Sequence, residues 1–442
     1  MNRFRMKGGI PSEDGKELSE ALPIRDIWPA RDLVYPVSET EEAPAGLLVK
    51  EGDLVLAGQM IATGEGAFPI PVYASVSGKV KAMEPRRTET GAEVYSVIVE
   101  NDGAYREMEW SGGRPLEELA AAKVLDRIRR AGIAQPGETE RSIVEKLTVE
   151  EPDGITCVIG NCLECEPYLT ADYRRLIEAP ERIAGGLRAI LRLFPNAEGI
   201  LAVNRKRKDA VQALRETIEP EERMQVVPLK TKYPLGLEQM LTWRFTGRKL
   251  PFSASPKEAG CIVLSCDVLD SVYQAVFEGR PLLHRVVTVT GEAVAKPQNF
   301  RVCIGTSYGE LTGQAGGFKR EPMKLLSGGP MKGVVLEDLN VPVSRTASAL
   351  LCMAKDEGAS GEPGPCIRCG KCTEVCPENL LPGKLADFAQ KQDMESFERY
   401  GGTECCGCGC CSYVCPAKRN LTGEIETARC QVKYAAAGDG RS

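Results

Sequence analysis

The spacing of apolar residues changes character several times along the chain, and each change marks a different kind of element. Residues 1–35 mix charges, glycine and proline without a clear period. Over 45–85 short alternating stretches take over, LLVKEGDLVLAGQMIAT and then ASVSGKVKAME, with turn points at Gly52-Asp53, Gly58 and Ser77-Gly78. Period-two alternation between such turns predicts the half-buried strands of a small β domain. Over 116–133, Leu116, Leu119, Val124, Leu125 and Ile128 recur at helical spacing and predict one amphipathic helix. Short apolar runs at 155–159, 199–204, 225–229 and 261–266 then read as buried strands, with helices at 170–192 and 208–218 between them. That order predicts a largely parallel sheet with helices on its faces, whose ligands gather at the carboxyl ends of the strands. Residues 162–166 and 266–267 lie at two such ends. From 284 to about 353 the pattern is β again, in HRVVTVTGEAV and NFRVCIGTSYGEL, followed by the glycine turn GGPMKGVV. After the polar linker AKDEGASGEPG, the segment KLADFAQKQDMESFERY reads as one helix or two short ones. The final ten residues are small and polar and predict disorder. The expected domain limits are 1–112, 113–282, 283–353 and 354–432.

The last of these blocks carries the clearest chemistry. Cys366, Cys369, Cys372 and Cys376 fall at C-x2-C-x2-C-x3-C-P, and Cys405, Cys408, Cys411 and Cys415 repeat the spacing. Pro377 and Pro416 follow the last cysteine of each set. This is the ferredoxin signature for two [4Fe–4S] clusters. In two-cluster ferredoxins the fourth cysteine serves the other cluster, which assigns Cys376 to the second triplet and Cys415 to the first. A zinc site would instead pair two C-x2-C units without the triplet and proline. Cys406 and Cys410 sit inside the second loop, and a register through them breaks the spacing, so they read as non-ligands.

Composition narrows the setting. A net charge of −6 and no long basic stretch argue against a nucleic-acid partner. Eight of the 18 cysteines are claimed by clusters that need reduced thiolates, which implies a reducing, cytoplasmic compartment. No stretch approaches the roughly 20 apolar residues of a membrane span, which leaves peripheral docking at the inner face of the cell membrane open. His284 is the only histidine and reads as a surface residue at a strand start, so histidine acid–base or zinc chemistry is excluded.

Taken together, Gly8-Gly9-Ile10, the β domain, ECEPYLTADYR, TKYPLGLEQ, LSGGPMKG and CSYVCPAKRNL make nearly the whole chain resemble the RnfC family. The resemblance implies a multidomain α/β and α+β protein with four parts. These are an N-terminal barrel-sandwich β domain, an α/β domain similar to the flavin- and NADH-binding subunit of complex I, a β-grasp-like (SLBB-type) segment, and a C-terminal helical two-cluster ferredoxin domain. Lys79 lies near a turn of the barrel-sandwich, but its neighbours Gly78 and Val80 are not those of a lipoyl or biotinyl carrier lysine. The family is the peripheral iron–sulfur subunit of a membrane ferredoxin:NAD oxidoreductase. The resemblance therefore implies FMN and NADH at the α/β domain, the Rnf-type membrane subunits as partners, and a diverged cofactor site at Gly137, Lys146, Glu164, Glu166 and Lys232.

Two departures shift the reading. Where the family has a glycine-rich loop, residues 132–146 read GIAQPGETERSIVEK, keeping Gly137 and Lys146 but bringing in Glu138, Glu140 and Arg141. Backbone N–H groups approach a phosphate closely only where glycines allow it, and carboxylates repel the anion. Second, Cys162 replaces a family glycine and makes C-x-x-C with Cys165, while Cys266 stands at a later strand end where the family tends to have Asn. Reversible dithiol exchange is the chemistry such a pair supports, so Cys162, Cys165 and Cys266 are candidate redox thiols. Glu164 and Glu166 beside them oppose thiolate formation. These departures resemble the soluble, PrdC-like branch associated with proline reductase, which supplies a reductase partner. The expected function is electron relay between a two-electron site in the α/β domain and the two clusters. The alternatives are a true RnfC component of a membrane complex with FMN and NADH, or a cluster-docking scaffold with an inert α/β domain.

Overall fold

Period-two burial in four apolar runs builds the sheet on which the rest of the molecule is assembled. The computed structural model describes residues 6–110, 112, 115–135, 140–219, 222–356 and 362–439. Strands β1 (Cys157–Cys162), β2 (Glu198–Asn204), β3 (Met224–Leu229) and β4 (Cys261–Ser265) pair in the order β3-β2-β1-β4, all parallel. Alternate residues face opposite cores. Val158, Cys162, Leu201, Val203, Ile262 and Leu264 join one, whereas Cys157, Ile159, Leu163, Ile200, Ala202 and Val263 join the other. Both faces are dry, as expected of a parallel sheet. Helices α1 (Ala171–Glu178), α2 (Pro180–Leu191) and α3 (Lys208–Ile218) cover the first face together with α5 (Cys266–Tyr273), and α4 (Glu238–Thr246) covers the second. Close approach of α2 to α5 depends on Gly186, where a Cβ would stand 2.0 Å from the carbonyl oxygen of Leu269.

Around this sheet lie three smaller units. The strands Leu33–Pro36, Leu54–Val55, Gly78–Arg87 and Glu93–Asn101 form one sheet of the barrel-sandwich, and Met60–Ala62 pairs with Val72–Tyr73 in the other. Leu33, Tyr35, Ile61, Val80, Val97 and Val99 fill the space between them. A six-stranded mixed sheet follows, with His284–Thr290, Gln298–Cys303 and Ala349–Met353 at its centre. Its edge is completed by Arg25–Asp26, paired in parallel with Phe300 and Arg301, so the unpatterned N-terminal stretch is tied down by a distant strand. In the cysteine-rich part, helices Pro382–Gln390, Met394–Arg399 and Leu421–Asp439 pack around Leu385, Phe397 and Ile425.

Local chemistry departs from the periodicity in several places. The helix expected over 116–133 is shorter, because Leu116–Glu118 forms a 3-10 turn and Ala120 is extended at φ −65, ψ 149. The α-helix runs Ala121–Arg130, and Gly132 closes it at φ +68 with the Pro71 carbonyl too near for a Cβ. The helical stretch 170–192 is two helices. Pro180 pushes Ala179 out of the helical region to φ −150, ψ 57, and the chain bends there. The last helix continues to Asp439, into residues where disorder is expected, since KYAAA lacks a breaker before Gly438 and alanine has the highest helix propensity. His284 does start a strand, but it is half-buried rather than on the surface. Burial first, then the neighbouring Arg301, lower its imidazole to about 4 and keep it neutral.

Candidate functional site

The two cysteine loops have the same backbone, repeated 39 residues apart. Positive φ occurs at Arg368, Gly370 and Asn379 in the first loop and at Gly407, Gly409 and Lys418 in the second. One-turn helices Lys371–Glu374 and Cys410–Tyr413 follow the αL glycines. Left-handed residues curl each loop tightly. Cys376, Cys405, Cys406, Cys408 and Cys411 line one cavity, whose other walls are largely apolar, Leu380, Leu385 and Ile425 among them. Among the described residues no three Cys, His, Asp or Glu side chains gather tightly enough to hold a single metal ion. An all-sulfur donor set spread around a cavity suits an iron–sulfur cluster better than a mononuclear site.

Hydrogen-bond donors already surround this cavity. Leu380 N–H donates to Cys376 Sγ at 3.3 Å, and Cys411 Sγ lies 3.3 Å from Thr422 Oγ1. Hydrogen bonds from Cys406 and then Cys410 lower the Cys408 thiol to about 3, toward the thiolate that a ligand must be. Of the other set, Cys366 and Cys369 are exposed and Cys372 and Cys415 half-buried. Gly364 N–H donates to the Ala417 carbonyl at 2.9 Å and ties the start of the first loop to the end of the second.

At the carboxyl end of β1 the chain makes a tight loop with positive φ at Glu164 and Tyr168. Asn161 Nδ2 donates to the Gly236 carbonyl at 2.9 Å. Cys162, the last residue of β1, keeps the facing of its strand and lies in the helical core, where Cys266 at the start of α5 is hydrogen-bonded to it. Cys165 follows the turn at Glu164 and packs instead against the buried group of Ile10, Tyr233, Cys406, Cys408 and Cys410. The structure therefore brings Cys162 to Cys266 and sends Cys165 elsewhere. Burial pushes the Cys165 thiol up to about 11, whereas the Cys162 hydrogen bond, then burial, raise Cys266 well above its usual value.

The remaining candidates are engaged within the protein. Glu164 accepts from Asp172 N–H at 2.7 Å at the start of α1 and lies 3.8 Å from Lys16 Nζ. Lys16 is buried, donating to the carbonyls of Glu164 and Leu169, and no pattern in the N-terminal stretch marks it in the sequence. Glu166 accepts from Met331 N–H at 3.2 Å, against the glycine turn of the six-stranded sheet. Desolvation raises both carboxyls to about 7. Lys232 Nζ bonds the Gly8 carbonyl. Lys146 pairs with Glu238 at the start of α4 and reaches the Val263 carbonyl at 3.2 Å, in the middle of β4. Glu140 is neutralised by Arg345 at 2.6 Å. Gly137, with Glu138, lies outside the described residues.

Between the strand-end loop and the clusters stands Tyr233, named in the sequence only as part of a loop. It exchanges backbone hydrogen bonds with Ile10, of 2.9 and 3.0 Å. Gly9 can lie there because a Cβ would be 2.4 Å from the Tyr233 carbonyl, while Gly8 sits against Val375 and Cys376. The N-terminal Gly-Gly-Ile thus threads between the α/β domain and the first cysteine loop.

Comparison with known proteins agrees with this architecture. Residues 4–104 match the sequence model of the RnfC barrel sandwich hybrid domain, 128–274 that of the Nuo51 FMN-binding domain, and 286–335 that of the SLBB domain. A solved NAD+-reducing [NiFe]-hydrogenase in the H2-reduced state shares the fold, with a TM-score of 0.50 at 14% identity over 74% of this chain and 68% of that one. The C component of the Na(+)-translocating ferredoxin:NAD(+) oxidoreductase complex of Acetobacterium woodii is 35% identical over 96% of both chains. The counterpart in the proton-translocating complex of Clostridium ljungdahlii is 34% identical over 89% of this chain and 86% of its own. That of the ion-translocating oxidoreductase complex of Pseudomonas aeruginosa is 33% identical over 88% of this chain and 51% of its own. With that identity over that length, the chain belongs to the RnfC family of electron-transfer subunits.

Proposed function

We propose that the protein is the RnfC component of a ferredoxin:NAD oxidoreductase complex, docked at the inner face of the membrane, and that it relays electrons between its α/β cleft and two [4Fe–4S] clusters. The observation that carries this reading is the cavity lined by Cys376, Cys405, Cys408 and Cys411, with Cys406 on its wall and Tyr233 and Cys165 in the adjoining buried group. FMN bound in the cleft would supply exchange between a two-electron donor such as NADH and one-electron carriers. Of the residues present, Lys146 beside β4 is the candidate cation for such an anion, held by Glu238 within the chain, and Arg345 cancels Glu140. Glu164 and Glu166, raised to about 7, do not present two full charges at neutral pH. No helix among the described residues is long and apolar enough to cross a membrane, so the membrane-embedded partners would supply the anchor.

A soluble carrier working through a Cys162–Cys165 dithiol has less support, since those thiols belong to different cores and the relatives are components of ion-translocating complexes. The deciding experiment is cofactor content on anaerobically purified protein. About eight irons and eight sulfides per chain, with stoichiometric FMN and NADH oxidation by an artificial acceptor, are expected. Full iron without flavin or NADH oxidation would leave only the docking scaffold.

A further inference from the structure

We propose that the Tyr233 hydroxyl is a hydrogen-bond donor to the sulfur shell of the second cluster at its Cys408 corner, so that a residue of the α/β domain tunes that cluster's potential. This rests on the two-cluster reading above. Tyr233 is 2% exposed, and its hydroxyl has no hydrogen-bond partner among the described residues. A buried hydroxyl in that state carries a desolvation cost unless something accepts from it. The ring packs with Ile10, Cys406, Cys408 and Cys410, and Cys165 lies against the same group. Glu166, the nearest carboxyl, already accepts from Met331 N–H. The sulfur atoms of a cluster held by Cys376, Cys405, Cys408 and Cys411 are the acceptors this neighbourhood lacks.

The first loop is built differently. The counterparts of Cys406 and Cys410, 39 residues earlier, are Ile367 and Lys371, both exposed, and the counterpart of Cys408 is the exposed Cys369. The second cluster is thus buried on the α/β side and the first opens to solvent. Hydrogen bonds to cluster sulfurs stabilise the reduced, more negative state and raise the potential. Losing Tyr233's donor therefore makes the second cluster harder to reduce and leaves the first alone.

The test is an EPR-monitored redox titration of the anaerobic full chain and its Tyr233→Phe variant, with iron and sulfide measured on both. The variant keeps the ring and removes only the hydroxyl. At a fixed ambient potential the ratio of reduced to oxidised second cluster should fall by up to tenfold, equivalent to about 59 mV for a one-electron couple, with the first cluster unmoved. Full iron with an unmoved second cluster, or equal shifts of both clusters, would overturn the proposal. Loss of the second cluster in the variant would also overturn it, by making Tyr233 a packing residue. A wild-type chain with no iron would instead defeat the two-cluster reading, and this proposal with it.

Discussion

The Cys266 thiol is hydrogen-bonded to Cys162 within the helical core of the parallel sheet, while Cys165, three residues beyond Cys162, packs against the separate buried group of Tyr233 and the second cysteine loop. Strand alternation puts Cys162 on the helical face, and the positive φ of Glu164 turns the next thiol away. Cys162→Ala is therefore expected to destabilise the chain by about 1–2 kcal/mol, through a lost buried contact and an unpaired Cys266. Cluster potentials should stay as they were. Denaturant unfolding with an EPR titration checks this, and a changed potential would restore a redox role to Cys162. Thiol labelling of the native chain should leave Cys162 and Cys266 unmodified until it unfolds.

Glu166 predicts a dependence of stability on pH. Its folded carboxyl, at about 7, lies above the unfolded value of roughly 4.3. The folded state therefore binds more protons than the unfolded state across that window. Its contribution is least unfavourable at low pH and worsens as pH rises toward 7, after which it levels off. Glu166→Gln keeps an acceptor for Met331 N–H and removes the titration. The variant's advantage over wild type should be about 2 kcal/mol larger at pH 8 than at pH 5.5. Equal stability at both pH values in denaturant unfolding would mean that Glu166 is not desolvated.

Gly9 predicts how the N-terminal segment holds the two halves together. At φ +76, with the Tyr233 carbonyl 2.4 Å from where a Cβ would be, Gly9→Ala is both strained and blocked. A cost of about 1–3 kcal/mol is expected, read as a lower unfolding midpoint. Earlier proteolysis around residues 6–12 should accompany it, because the Ile10–Tyr233 pairing anchors that end of the N-terminal stretch.

How much of this was legible in the sequence depends on the range of the interaction. The proposed cluster ligands are read from spacing alone, because three thiols on one loop demand a fixed local spacing. The four strands of the parallel sheet were equally plain, since burial on both faces leaves continuous apolar runs. Lys16 was not legible: its partners are carbonyls about 150 residues away, in a stretch with no periodicity. Nor was the division of Cys162 from Cys165, where one αL residue outweighs proximity in the chain. Helix limits near Ala120 and Ala179 failed for a related reason, as single backbone conformations ended patterns that the side chains would have continued.

The difference in exposure between the two ligand sets predicts an order of loss. Cys366 and Cys369 are exposed, whereas Cys376, Cys408 and Cys411 are buried and the walls of their cavity include Leu385 and Ile425. A chelator reaches iron through solvent, so anaerobic iron extraction should be biphasic, the first half leaving with the cluster of Cys366, Cys369, Cys372 and Cys415. Cys376→Ala should abolish the slow phase and reduce iron to about four per chain, because the buried cavity loses its fourth thiolate. Cys369→Ala should abolish the fast phase instead. If Cys376→Ala removed the fast phase, Cys376 would serve its own triplet, and the exchange of fourth ligands between the loops would be wrong.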